Sequence, residues 1–196
     1  MNKRPLNVYI WERRHDNSFS FGHASFSLSD GTYISWWPSS DSNLLSKAFG
    51  TTGTYTRSLE EDIELQDKRQ PDAVFTLTSC VDEAAIHRWW KSFKTGSSYS
   101  GIKQNCCSVV FQALVNGSVL HLFPDNERSY WESVSVWRQS YLNDFLTAMC
   151  LHIEEHEKRK RERFIDSICL IVLVGLLSLV LSKTLTFIIG IFYSRT

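Results

Sequence analysis

The sequence has no excess of charge of either sign, since 21 Lys and Arg are matched by 21 Asp and Glu over 196 residues. Proteins that bind nucleic acids contact phosphates through surplus Lys and Arg, so this balance argues against a nucleic-acid partner. Glycine and proline are also scarce, with nine and four residues, and 43% of the side chains are hydrophobic. This composition excludes collagen-like, repetitive and disordered chains and indicates one folded domain with a short appendage.

The chain also lacks the marks of a secreted protein. Its first residues, MNKRPLNVYIW, contain no apolar stretch long enough for a signal peptide. The number of cysteines is odd, and the two adjacent ones would pair with each other only with strain. We therefore expect reduced thiols. The five cysteines are Cys80, Cys106, Cys107, Cys150 and Cys169.

A long hydrophobic run is missing from most of the chain but dominates its last 30 residues. Ile168 to Phe192 are 25 residues with Lys183 as the only charge, and as a helix they would cross a hydrocarbon core of about 30 Å. The pattern predicts one transmembrane helix over 166–194 and a lipid bilayer as partner. Lys183 leaves two alternatives: the apolar part ends near Ser182, or the lysine reaches the far head groups or a partner in the membrane.

Basic residues concentrate before this run, where HEKRKRERF contains five Lys or Arg, whereas the far side carries only Arg195. The positive-inside rule therefore predicts a tail-anchored, single-pass protein with residues 1–164 in the cytosol. A cytosolic domain would leave Asn116, in the acceptor sequence NGS, without a glycan. The predicted divisions are a domain at 1–127, a helical region and charged stalk at 128–165, and the span at 166–194.

Alternation of apolar and polar residues predicts an antiparallel sheet. The turn sequence Ser29-Asp30-Gly31 closes the second and third strands into a hairpin, and Pro38 ends the third. Residues 39–72 are rich in Ser, Thr, Gly and charge, which is typical either of a long surface excursion or of a small helical insertion. The predicted strands are Leu6–Trp11, Phe19–Leu28, Thr32–Trp37 and Ala73–Thr78.

Capping residues predict where the helices begin. Ser79 and Asp82 form a capping pattern before a helix that runs to about Lys94, and Asn105 caps the helix CCSVVFQALV, which stops at the following Asn-Gly. Ser129–Arg163 is predicted as one long helical region with an apolar first half and a charged second half. Strands and helices in this order predict an α+β fold.

Two residues in this arrangement have the chemistry of thiol catalysis. Cys106 is predicted in the first turn of its helix, where unpaired amides and the helix dipole stabilise a thiolate. His23, within FGHASFSL on a strand, can hold that thiolate as an ion pair and later protonate a leaving group. Cys107 is turned by about 100° around the helix and is the fallback nucleophile.

At these residues the sequence resembles the circularly permuted papain-like fold, which NlpC-type peptidases and the lecithin:retinol acyltransferase family share. The strand His in a GH-A context comes before the helix that opens with Asn-Cys, and QNCCSVVFQALVNG is similar to the acyltransferase pattern. The resemblance implies an antiparallel sheet packed on the Cys-bearing helix, with Cys106 as nucleophile and His23 as base. Family members carry a second His about a dozen residues after the first. Ser35 stands there, and the resemblance makes it the third member of the site.

The resemblance leads to two functional expectations. The first is a cysteine hydrolase or acyltransferase that cleaves an amide, ester or thioester of a lipid or a membrane-associated protein. The second is an inactive domain of the same fold that serves as a membrane-tethered interaction module. Trp36, Trp37 and Pro38 either line a substrate cleft or fill the core.

Neither a metal nor a cofactor is expected. The histidines at 121, 152 and 156 have no Cys or carboxylate at metal-ligand spacing, and no phosphate loop or dinucleotide fingerprint occurs.

Overall fold

Four antiparallel strands in the order β3-β2-β1-β6 form the main sheet of the computed structural model. The structure describes residues 4–14, 22–41, 43–77 and 81–193, with side chains up to residue 178 except that of residue 44. Contacts divide the chain into two units, Met1–Ile153 and Glu154–Thr196. The strands are β1 (Leu6–Trp11), β2 (His23–Ser27), β3 (Tyr33–Ser35), β4 (Trp37–Pro38), β5 (Thr51–Thr54), β6 (Ala73–Leu77) and β7 (Ser98–Tyr99). The helices are α1 (Leu44–Phe49), α2 (Leu59–Leu65), α3 (Glu83–Gly96), α4 (Cys106–Asn116), α5 (Asp125–Ser133) and α6 (Gln139–Tyr193), with a 3₁₀ turn at Val119–Leu122.

One face of the main sheet is apolar and belongs to the core. In the strand register Phe26 of β2 lies between Val8 of β1 and Ile34 of β3, and all three are fully buried. Helix α4 packs against β2 and β3, and its Leu114 and Ala113 share the same hydrophobic cluster. The predicted α+β class with an antiparallel sheet is therefore confirmed.

The strands predicted from alternation differ in how well their bounds match the observed strands. Strand β1 has the predicted bounds, and β2 runs over His23–Ser27, while part of the predicted range before it, residues 19–21, lies outside the described residues. A single strand over Thr32–Trp37 is wrong, because the chain leaves the main sheet at Trp36. Pro38 does not follow the strand but lies within β4.

A second, three-stranded sheet in the order β4-β5-β7 explains this break. Trp37 of β4 pairs with Thr54 of β5, so the chain must turn out of the first sheet. Trp36 stays 1% exposed and covers Gly53, where an added Cβ would lie 1.9 Å from the Trp36 ring. Residues 39–72 thus contain α1, β5 and α2, and of the two alternatives the helical insertion is the observed one.

The helices of the core begin where capping chemistry predicts. Asp82 accepts a hydrogen bond from the N–H of Ala85 at the start of α3, which ends at Gly96. The predicted partner Ser79 lies outside the described residues. Helix α4 has its predicted start at Cys106.

The helical region predicted over Ser129–Arg163 consists of parts of two helices, because the chain turns between α5 and α6. The turn allows both Trp131 and Trp137 to be buried, and Trp137 stacks on Phe111 of α4 with ring centroids 3.9 Å apart. The first turns of α6 add Phe145 and Met149 to the same core. Apart from Phe111, the residues that make these contacts come after residue 127, the predicted end of the first domain.

In the second unit, all described side chains of α6 except that of Glu157 are exposed. They change from charged residues before 164 to apolar residues such as Ile171 and Leu176, which are 70% and 57% exposed. Within the described residues, no helix combines the length and the apolar character needed to span a bilayer. Much of the predicted span, including Lys183, falls where side chains are not described.

Candidate active site

The helix that carries Cys106 is fixed by the residue before it. Asn105 Oδ1 accepts a hydrogen bond from the N–H of Ser108 (3.0 Å), and Asn105 Nδ2 donates to the carbonyl oxygens of Gly101 (3.0 Å) and Trp137 (2.9 Å). Cys106 follows as the first helical residue and is 6% exposed. The thiol therefore lies at the end of α4 where unpaired N–H groups and the helix dipole favour negative charge.

His23 begins β2 and is held by aromatic and polar contacts. Its ring stacks on the indole of Trp37, with centroids 4.0 Å apart and planes at 23°, and Trp11 makes a tilted contact at 5.5 Å. His23 Nε2 lies 2.9 Å from Ser35 Oγ and 3.1 Å from Asp62 Oδ2. These contacts fix both the plane and the rotation of an imidazole that is 1% exposed.

Asp62 of α2 is fully buried and is the most densely hydrogen-bonded side chain at the site. Five side chains reach its two carboxylate oxygens, so no oxygen is left without a partner. The partners are Thr56 Oγ1 (2.6 Å), Ser35 Oγ (2.9 Å) and Trp37 Nε1 (2.9 Å) on Oδ1, and Tyr33 Oη (2.8 Å) and His23 Nε2 (3.1 Å) on Oδ2.

This network assigns the proton on the His23 ring. An ionised carboxylate only accepts hydrogen bonds, so the contact between Asp62 and His23 requires a hydrogen on Nε2. The Ser35 hydroxyl has a single proton, which it donates to Asp62. In its contacts with His23 Nε2 and Trp37 Nε1, the Ser35 oxygen is therefore the acceptor. Nδ1 is then the ring nitrogen that remains for Cys106, as in other sites where the second nitrogen of a His is fixed by an orienting group.

The pKa values of Cys106 and His23 shift in opposite directions. Burial disfavours a charged His23, but the negative charge of Cys106 and the hydrogen bond to Asp62 outweigh it and raise the pKa of His23 to about 9. A hydrogen bond from Cys107 and the positive charge of His23 hold the pKa of Cys106 well below its usual value, against the effect of burial. The N–H of Ala24 adds a further hydrogen bond to the thiolate. Both shifts favour the form of the pair with a thiolate on Cys106 and an imidazolium on His23.

The acidic partner of this pair is also kept charged. Burial alone would raise the pKa of Asp62, but the hydrogen bond and the positive charge of His23 lower it below the usual range, together with the hydroxyls of Thr56 and Tyr33. The charges thus alternate from thiolate to imidazolium to carboxylate. Such an arrangement stabilises the positive ring from both sides.

Cys107 has the opposite character to its neighbour. It is 1% exposed, and its hydrogen bond to Cys106, together with burial and the charge of the thiolate, raises its pKa well above the usual value. Both residues carry free thiols. These directions make Cys107 the hydrogen-bond donor and Cys106 the candidate nucleophile of the two.

All three residues predicted from the sequence lie together. Cys106 and His23 form the charged pair, and Ser35 bridges the ring and a carboxylate. Sequence reasoning missed Asp62, which lies within residues 39–72. The only local signal was Ser58 with acidic residues after it, which is typical of an exposed helix start and gives no reason to bury one of the acids.

A buried thiolate beside an imidazolium, at a helix N-terminus, has the parts needed for nucleophilic attack on a carbonyl group. In a site of this kind a thiolate can form the covalent bond, the ring can move a proton, and helix N–H groups can stabilise an oxyanion. Comparisons of the chain with protein families, with curated proteins and with solved structures find no match. The site geometry is thus the basis for a functional proposal.

Proposed function

We propose that the first unit is a cysteine hydrolase or acyltransferase of permuted papain-like architecture, which cleaves an amide, ester or thioester through an acyl-enzyme on Cys106. The observation that carries this proposal is the buried His23, which contacts Asp62 through Nε2 and forms the charged pair with Cys106. The order of a strand His before a Cys-bearing helix, with an antiparallel sheet on that helix, supports the architecture.

The proposed reaction has two steps, acylation and deacylation of Cys106, and Cys106 and His23 act once in each step. The Cys106 thiolate attacks the carbonyl carbon, and the oxyanion forms near the N–H groups at the start of α4. The imidazolium of His23 gives its Nδ1 proton to the leaving group, which departs with the bond electrons and leaves an acylated sulfur. Neutral His23 then takes a proton from water or an acceptor, whose oxygen or nitrogen attacks the acyl carbon and releases the thiolate. Asp62 holds the ring in place throughout.

We further propose that the chain is anchored to a membrane by the helix over 166–194, with the catalytic unit in the cytosol. The basic residues before this segment support that orientation. An anchored catalytic unit meets lipids and membrane-associated proteins far more often than dissolved molecules, which makes these its substrate class.

An activity-based test uses an alkyne-tagged electrophile that labels reactive cysteines at pH 7, followed by mass spectrometry of the labelled peptide. We expect label on Cys106 in the wild type and none in the Cys106→Ala variant. Cys107→Ser is the matched control, because it changes the adjacent buried thiol and leaves the nucleophile.

Two results would contradict the catalytic proposal. Label on Cys107 that survives in Cys106→Ala would show that Cys107 is the nucleophile. A folded wild type without label at either residue would favour the interaction module over the enzyme.

A separate test concerns the anchor: deletion of Ser167–Thr196 is expected to move the chain from the membrane pellet to the supernatant. A glycan on Asn116 in cells would reverse the proposed orientation.

A further inference from the structure

Trp37 touches both halves of the His23–Asp62 pair. Its ring lies over the imidazole at a centroid distance of 4.0 Å, and its Nε1–H lies 2.9 Å from both Asp62 Oδ1 and Ser35 Oγ. One side chain therefore fixes the plane of the ring and the rotation of the carboxylate at the same time.

The two sheets determine where this indole lies. Adjacent residues of an extended chain point to opposite sides, so Trp36 and Trp37 separate. Trp36 packs into the core on Phe93, with ring centroids 5.0 Å apart, whereas Trp37 pairs with Thr54 in the second sheet and stacks on His23. The break between β3 and β4 therefore places the Trp37 ring against His23.

The contacts of Trp37 favour the charged state of the site for two physical reasons. The face of an indole carries negative electrostatic potential and attracts an imidazolium stacked on it. A hydrogen bond from an N–H to a carboxylate is stronger than one between neutral groups. The half-buried indole also covers His23 and Asp62, which are 1% and 0% exposed.

We infer that Trp37 is a positioning residue, which holds the ring of His23 in the plane and in the charged state that the Cys106 thiolate needs. This inference rests on the proposed function, since it assigns the residue a task in the same site. Among the described residues, the titratable groups that face His23 are Asp62 on α2 and Cys106 on α4, with Tyr33 on β3 one hydrogen bond further along.

The test is an NMR titration of His23 in the full chain, held in detergent micelles with labelled histidine. The His23 signal is assigned by its loss in His23→Gln. Trp37→Phe keeps an aromatic ring and removes the N–H, and Trp37→Leu removes both. We expect the pKa of His23 to fall in Trp37→Phe and to fall further, by about one unit in total, in Trp37→Leu.

Trp89→Phe is the matched control, because it changes a tryptophan that packs on Trp90 and Phe93 instead of on His23. We expect its His23 titration to equal that of the wild type. A merely structural role for Trp37 would lower the unfolding midpoint of its variants without moving the pKa of His23.

A folded Trp37→Phe whose His23 titrates as in the wild type would overturn the inference, whether or not Trp37→Leu folds. The readout does not depend on labelling of Cys106. Failure of this inference is therefore distinguishable from failure of the proposed function, in which the wild-type thiol takes no label.

Discussion

Helices α4 and α2 each bring one charged group to the same site, but they are held in opposite ways. Eight of the eleven residues of α4 are buried, and most of them are apolar or small. Helix α2 has seven residues and buries one of them, Asp62. Apolar packing therefore positions Cys106, whereas hydrogen bonds to its carboxylate position Asp62. One site can therefore depend on two kinds of stabilisation, apolar packing and hydrogen bonding.

This difference predicts where each helix is vulnerable. Loss of a buried apolar side chain in α4 leaves a cavity, and loss of the one buried side chain in α2 leaves donors without an acceptor. The effects should therefore separate into stability for α4 and chemistry for α2.

The largest effect is expected from Asp62→Asn. The amide would present an N–H to donors that already point at the carboxylate, and it removes the charge that supports the imidazolium. We expect the rate of acyl-enzyme formation with a thioester probe to fall by about 10²- to 10⁴-fold. Glu64→Gln, an exposed acid on the same helix, is the control and should react at the wild-type rate. An Asp62→Asn variant as fast as this control would remove Asp62 from the site.

The next effect compares apolar side chains on the two helices. Leu114 of α4 is fully buried and Leu65 of α2 is 56% exposed. We expect Leu114→Ala to lower the free energy of unfolding by about 2–5 kcal/mol and Leu65→Ala to change it by less than about 0.5 kcal/mol. Urea unfolding followed by tryptophan fluorescence measures both. Equal losses would mean that α2 is also held by apolar packing.

A smaller difference is expected between the two N-caps. Asn105 is buried, caps α4 and also bonds two carbonyl oxygens, whereas Ser58 caps α2 with one hydrogen bond of 3.3 Å at an exposed position. Asn105→Ala should lower the unfolding free energy by about 2 kcal/mol, and Ser58→Ala by about 1 kcal/mol or less. If the order is reversed in the same urea experiment, the cap of α4 does not stabilise the site as described.

The remaining effect distinguishes the two helices by pH. His23, whose pKa is raised to about 9, contributes stability that is complete below its unfolded value of 6.5 and is lost as the pH rises through about 9. Cys106, whose pKa is lowered, contributes stability that is complete above an unfolded value of about 8.5 and is lost as the pH falls. The two slopes cancel between these unfolded values, so the pair gives a plateau from about pH 6.5 to 8.5.

Below this plateau the pair should lose about 1.4 kcal/mol per pH unit. Asp62, whose pKa is lowered, keeps its contribution until the pH falls below an unfolded value of about 3.9. The decline that begins below about pH 6.5 and precedes the loss of the Asp62 contribution therefore belongs to the thiolate of α4. Cys106→Ser should lack this decline in urea unfolding, and a wild-type slope in that variant would contradict the ion pair.

Local patterns predicted the parts of the fold whose chemistry is local. Strand β1 follows from alternation, and the start of α4 follows from the Asn105 cap and an apolar stripe, because these signals depend on residues a few positions apart. The turn between α5 and α6 did not follow, because it is decided by the burial of Trp131 and Trp137 against α4. The break at Trp36 likewise depends on a distant partner strand, because Trp37 pairs with Thr54, 17 residues further on.

The sequence by itself determined the α+β class and the helix start at Cys106, because capping and alternation are local signals. The proximity of Cys106 and His23 followed from the resemblance to the permuted papain-like fold. Only the tertiary structure decided what supports the histidine. Asp62 and Trp37 reach it from segments that pair elsewhere in the chain, and a carboxylate is buried there because five donors from separate elements converge on it. Convergence of this kind is a property of packing, and no local pattern of residues encodes it.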